Sequence, residues 1–227
     1  MASRDSKYKR LLRLMHAYFS EGSSQTPQSL YDEINHYLGR QLDNEPTEEM
    51  TEWLENFLSD FAVEYVQEQG PMLSELFNYL GQWDALLYSD PIAHTLYKVH
   101  NHIAYTGKWE KWIPYCELVG TLIEPEVELF EHEDRILRIL AQAFDSNYAS
   151  NVESTLVAGA AMCMSKVTKP VAQCIGANEW SLGMTRVVTP ADWQRWTGRM
   201  EAFGNDKSQN NRMRQLARQA VRVMRIL

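Results

Sequence analysis

Carboxylates and histidines are the side chains of this sequence best placed to do chemistry. Glu33 and His36 stand three residues apart, and Asp90 with His94 and Glu128 with His132 stand four apart; His100 and His102 follow close behind. Side chains at these spacings meet on one face of a helix. In bundles that hold two iron or manganese ions, Glu-x-x-His pairs on facing helices project into the core as ligands. Asp90, His94, Glu128 and His132 are therefore the candidate acid, base or ligand groups of a small-molecule site. Such a site needs about four inward carboxylates, whereas Glu33 and Asp90 fall near helix starts. The acid content of the chain also places pairs of this kind by chance. The sequence thus carries no expectation of a metal or other cofactor.

The remaining chemical signatures are sparse. There is no Gly-x-Gly-x-x-Gly or Gly-Lys-Ser/Thr phosphate cradle, no Gly-x-Ser-x-Gly elbow, no His-Glu-x-x-His and no Cys-x-x-Cys. Of three cysteines, Cys163 lies inside an uncharged run and Cys116 shares a face with Trp109 and Trp112, so both read as buried thiols. Cys174, near a loop, is the least constrained. The pairs Trp109/Trp112 and Trp193/Trp196 each set two indoles on one helix face, where they line a pocket or fill a core.

Charge is distributed unevenly. The formal net charge is −8, which repels a phosphate backbone and argues against nucleic acid. Tyr31 to Glu75 holds twelve acids against Arg40 alone, and Glu124 to Asp134 holds six more acids. The final helix reverses the sign: Arg214, Arg218, Arg222 and Arg225 form one stripe, opposite Met213, Leu216, Ala217, Ala220 and Met224. Such a helix can be gripped by a partner protein or lie on a membrane surface, or its apolar face can dock on the body of the protein.

The elements that must position these groups are helical. Tyr8, Leu11, Leu12, Met15 and Phe19 make a first stripe, and Thr26-Pro27 starts a second helix. Thr47 with Glu48 and Glu49 starts a third, with Met50, Trp53, Leu54, Phe57, Leu58, Phe61 and Tyr65 on one face. Gly70-Pro71 is expected to end it and start another, whose inward residues include Leu73, Phe77, Leu80, Trp83 and Leu87. Asp90-Pro91 is expected to open a further helix. Another is expected from about Glu126 to Phe144. The uncharged run Leu156–Met164 reads as the central buried helix, Gly176 to Val188 as loop, and Thr189-Pro190 as a last cap before two terminal helices.

No stretch alternates well enough for a strand, and no linker divides the chain. The expectation is an all-α, single-domain bundle of about eight to ten helices over residues 1–227. Met1–Asp5 shows no apolar leader and the cysteines no disulfide framework, so a soluble, cytoplasmic protein is expected. The segment Val188-Thr189-Pro190-Ala191-Asp192-Trp193-Gln194-Arg195-Trp196, followed by Arg212, Leu216, Ala217, Ala220 and Met224, resembles the end of an uncharacterised family of fungal all-helical proteins. The resemblance covers the last fifth of the chain, implies a fungal, all-helical protein and transfers no catalytic residue. The functional expectation is a protein-interaction or adaptor module whose partner is another protein, with the alternative of a small-molecule enzyme whose interhelical pocket uses the carboxylate and histidine groups, with or without a metal.

Overall fold

The computed structural model describes residues 2–20, 24–39, 44–122, 132–146, 148–182 and 186–225. Among these are ten α-helices, one 3₁₀ turn and one short β-hairpin, so the chain is all-α as expected. Its contacts divide it into two compact units, residues 1–98 and 99–227. Within the described residues no helix is long and apolar enough to cross a membrane. Charge separates with the units: unit 1 carries 7 basic and 16 acidic side chains, net −9, and unit 2 carries 15 and 14, net +1.

In unit 1, helices α1 (Ala2–Tyr18) and α2 (Pro27–Leu38) pack against each other, and α2 packs on α3 (Glu48–Trp83). The starts of α2 and α3 follow from local hydrogen bonding. Thr26 and Ser29 form a reciprocal capping box, and the Thr47 hydroxyl accepts from the Met50 amide at 3.3 Å. Gly39 closes α2 at φ 69°, a left-handed conformation that suits glycine. Leu11, Met15, Leu30, Ile34, Leu54, Leu58, Phe77 and Leu80 form the buried core. Beside them runs an aromatic seam: Trp53 stacks on Phe57 at 4.8 Å, Phe57 meets Phe61, and Tyr65 stacks on Phe19 at 4.5 Å.

The two prolines behave differently from each other. At Gly70-Pro71 the expected break is present: Gln69 lies at φ −128°, ψ 28°, outside helical geometry, and two helical segments meet across a kink within α3. Pro removes one i→i−4 bond and crowds the preceding turn, and Leu73, Leu76, Phe77 and Leu80, all fully buried, hold the second segment in place. Pro91, by contrast, does not open a helix. Asp84 caps the next one, its Oδ1 accepting from the Leu87 amide at 3.2 Å, and α4 (Ala85–Thr106) carries Pro91 inside it. Trp83, expected inward, stands 62 % exposed, because α3 stops there and Asp84 turns the chain.

Unit 2 contains the end of α4, a 3₁₀ turn (Trp109–Lys111), α5 (Trp112–Leu122), α6 (His132–Phe144), α7 (Ser150–Lys166), α8 (Lys169–Ala177), strands β1 (Trp180–Leu182) and β2 (Arg186–Val188), α9 (Pro190–Asn205) and α10 (Asn211–Met224). The residues expected to begin a helix near Glu126 lie outside the described ones. Helix α7 is the centre: Leu156 to Met164 are all buried, and α5, α6 and α10 pack around it. Gly159 lets the Trp112 indole of α5 lie directly on α7, where a Cβ would stand 2.4 Å from the ring. The stretch expected to be loop contains the hairpin, paired antiparallel with Trp180 opposite Val188 and Leu182 opposite Arg186. Three residues per strand are too few to show an alternating pattern. The hairpin is also anchored from outside, Trp180 Nε1 donating to the Ile175 carbonyl at 2.9 Å. Helix α10 docks by Ala217, Ala220, Val221 and Met224 onto α7, α8 and α9.

Candidate functional site

The candidate acid–base groups are not gathered. Asp90 and His94 are both exposed, and His94 Nδ1 lies 3.8 Å from Glu55 Oε2, so its nearest carboxylate is on α3. Glu55 also holds the Lys98 ammonium at 2.7 Å. Glu33 pairs with Arg10 at 3.1 Å, and His36 is exposed. Glu128 and the side chain of His132 lie outside the described residues. Among the described residues no three His, Cys, Asp or Glu side chains converge as metal ligands would.

The four tryptophans take different places. Trp112, Trp193 and Trp196 are buried in unit 2, and each indole N–H has an acceptor: the Leu156 carbonyl at 3.2 Å, the Met224 carbonyl at 2.8 Å, and the Asp145 carboxylate at 3.1 Å. Trp109 is half-buried, edge-on to Trp112 and Tyr148. The four arginines of α10 also differ. Arg218 Nε donates to the Gly204 carbonyl at 3.0 Å and Arg225 pairs with Glu201 at 2.6 Å, both on α9, while Arg222 is exposed. Arg214 is half-buried, with Nη2 3.3 Å from Asn211 Oδ1.

Two of the three thiols, Cys116 and Cys163, are not poised for nucleophilic work. Burial pushes the Cys116 thiol well above its ordinary range, with Cys163 adding to it, and pushes Cys163 up to about 12. Only Cys174 is exposed. A thiol-reactive chromogen should therefore titrate one thiol quickly in the native protein and two more only after denaturation; three fast thiols would contradict this placement.

Sequence reasoning missed a polar hub. Asp145, at the end of α6, accepts from Arg186 of β2, from Arg195 of α9 at 2.8 Å and from Trp196. Arg195 also bonds Asp192 at 2.8 Å, and Arg199 donates to the Phe144 carbonyl and to Glu153 at 2.7 Å. Burial pushes the Asp192 carboxyl upward, but its bonds from Thr189 and the charges of Arg195 and Arg186 outweigh that and hold it below its ordinary value. Beside the hub is a groove of about 350 Å³ lined by His100, Arg138, Gln142, Asp145 and Arg186, among others. His100 is 8 % exposed. Burial first, then the Arg138 and Arg135 guanidiniums, push its pKa down from 6.5 to about 4, against Asp134 and a bond with Gln142.

This has a consequence for stability. Above pH 6.5 His100 is neutral in both folded and unfolded chains; between about pH 6.5 and 4 the unfolded chain takes up a proton that the folded one refuses. Urea melts should show stability falling through that window by up to roughly 1.4 kcal/mol per pH unit from this group. His100→Phe should flatten that part of the profile, and an unchanged profile would contradict it.

Unit 1 offers two surface features of another kind. At its α3–α4 corner Trp83 is 62 % and Leu86 76 % exposed, flanking the capping Asp84, with Tyr79 against the Trp83 ring at 5.8 Å. At the other end of α3 a groove of about 380 Å³ is lined by Leu38, Thr47, Glu49, Met50, Glu52, Trp53 and Asn56.

Comparison of the chain with protein-family models, with curated proteins and with solved structures gives no match.

The functional reading therefore rests on the geometry. The hub ties strand, helix and turn together through a carboxylate whose oxygens are already engaged, an architectural role. The corner and the α3 groove present aromatic side chains at the surface beside acidic ones. Neither was legible as a site, because Trp83 and Trp53 sit in apolar helix stripes.

Proposed function

We propose that this chain is a helical protein-interaction module without catalysis of its own. The observation that carries the reading is the exposed pair Trp83 and Leu86 at the α3–α4 corner. Tryptophan is over-represented among the residues that dominate binding energy at interfaces. The unit that displays it has a net charge of −9, so the partner surface that fits is an apolar pocket with a basic rim, whose charge also speeds encounter. The dispersed acids and histidines and the buried thiols Cys116 and Cys163 support the same reading.

The test compares the native chain with a Trp83→Ser/Leu86→Ser variant immobilised in parallel. Proteins recovered on the native chain are purified and their affinities for both forms measured by calorimetry. The reading expects at least one specific partner whose affinity falls tenfold or more in the variant, at unchanged helix content and melting temperature. Equal binding to both forms, or only an inert monomer, would overturn it.

The alternative, a small-molecule enzyme, has one observation in its favour: the groove beside the hub brings a neutral His100 together with Arg138, Gln142 and Arg186. Its metal-dependent version requires near-stoichiometric iron, manganese or zinc in elemental analysis of the purified protein.

A further inference from the structure

We propose that the outer face of α10 receives an acidic helix of a partner protein, held by Arg212, Arg218 and Arg222. The inference rests on the interaction reading but concerns a different surface, in unit 2.

Uncompensated charge is the first argument. Lys207 to Leu227 holds six basic residues and no acid. Ala217, Ala220, Val221 and Met224 bury one side of α10, which turns Arg212, Gln215, Arg218, Gln219 and Arg222 outward, all of them exposed. Among the described residues Arg212 and Arg222 meet no carboxylate, and Arg218 bonds the uncharged Gly204 carbonyl at 3.0 Å. Arg138, Arg186, Arg195 and Arg199 of unit 2 each hold a carboxylate. Along α10 only its last residue does, Arg225 with Glu201 at 2.6 Å. Asp206, ahead of the helix, feels the charge of Arg214 but is engaged by Ser208 and Gln209.

Helix physics does not account for this arrangement. The negative end of the helix dipole suits Arg222 in the last turn, but Arg212 stands in the first turn, at the positive end, with no acid beside it. Arg214, Arg218 and Arg222 repeat every four residues, a like-charge spacing that destabilises a helix. Gln215 and Gln219 each precede an arginine by three residues, where a glutamate would form an internal pair.

The occupant follows from the same geometry. Guanidiniums about 6 Å apart along the axis match carboxylates at four-residue spacing on a second helix, each able to accept two parallel N–H bonds. The apolar side of α10 is taken up by α7, α8 and α9, so no face remains to enter a bilayer. A chain at −8 repels an extended phosphate backbone.

The experiment measures, by fluorescence anisotropy, binding of the full chain to a labelled alanine-based helical peptide carrying Glu at every fourth residue. The peptide should bind at about 50 mM salt and weaken toward about 500 mM as screening shortens, and its Gln counterpart should not bind. Affinity should fall about tenfold or more in Arg212→Glu/Arg222→Glu, and about threefold in Arg212→Gln/Arg222→Gln. Both positions are exposed, so helix content and melting temperature should hold. Arg13→Glu/Lys108→Glu, an equal change of net charge at exposed positions off α10, should alter affinity less than about twofold. No peptide binding, equal loss in the two charge-reversed pairs, or tighter binding of phosphatidylserine vesicles or duplex DNA than of the peptide would overturn the proposal. The Trp83→Ser/Leu86→Ser variant should bind the peptide normally, so loss of the corner's partner with retention of the peptide separates the two ideas.

Discussion

Gly159→Ala should lower the melting temperature of unit 2 by more than 10 °C, by calorimetry or near-ultraviolet dichroism. The added Cβ would stand 2.4 Å from Cδ1 and Nε1 of Trp112 and 3.0 Å from Cys116 Sγ. Trp112 has nowhere to retreat: it is fully buried, with His100 at 5.2 Å, Tyr115 at 5.7 Å and Trp109 at 6.1 Å around it. Overpacking of this kind costs about 1–3 kcal/mol or more. Displacing the ring also breaks its bond to the Leu156 carbonyl and leaves a buried acceptor, about 1–3 kcal/mol further. A domain has only about 5–15 kcal/mol to lose, and each kcal/mol moves the midpoint by roughly 2–8 °C. Gly198→Ala is the matched control. Nothing lies within 4 Å of its Cβ in α9, so helix propensity should make it stabilising by up to about 1 kcal/mol. Equal effects at the two positions would refute the close approach of Trp112 to α7.

Asp145→Ala should destabilise unit 2 by about 2–4 kcal/mol, because the group removed serves three donors on two other elements. The Arg186 and Arg195 guanidiniums lose their shared counter-charge, and the indole N–H of Trp196, a residue fully buried, loses its acceptor. The Asp145 side chain is 18 % exposed, so water restores part of the loss, which keeps the figure below that of a sealed ion pair. Asp145→Asn keeps an acceptor for Trp196 but no charge, and should fall between wild type and alanine. Chemical denaturation of the three forms checks the order. A silent alanine would mean that the hub is not what fastens the hairpin to α6 and α9.

The parts of the fold that were legible in sequence are those decided within one or two turns. Thr26, Thr47 and Thr189 read as caps because each accepts from a backbone amide three residues on. Leu156–Met164 read as the buried centre because an uncharged run of small residues has few other places to go. Gly70-Pro71 marks a break for the same local reason, Gln69 leaving helical geometry, whereas Pro91 sits inside α4 because buried Leu87, Tyr88 and Ile92 around it carry the helix through. The hairpin was hidden for the opposite reason: pairing Trp180 with Val188 is a tertiary choice with almost no local pattern.

The site features were less legible still. Asp145 reads as a turn residue, and its partners Arg186, Arg195 and Trp196 are 41, 50 and 51 positions away. Trp83 continues the apolar spacing of α3, so periodicity places it inward. Only Asp84, by capping a new helix, turns the chain and leaves the indole outside. The arginines of α10 form a visible stripe, but periodicity could not show that Arg218 and Arg225 reach back to α9.

Placing a photoreactive benzoylphenylalanine at position 83 tests the interaction reading most directly. Irradiated in cells, a chain carrying it at Trp83 should give one or a few discrete cross-linked products. The same residue at Gln194, exposed on α9 of unit 2, should not give them. No adduct at position 83, or the same adducts from both positions, would contradict the claim that the α3–α4 corner is a docking surface.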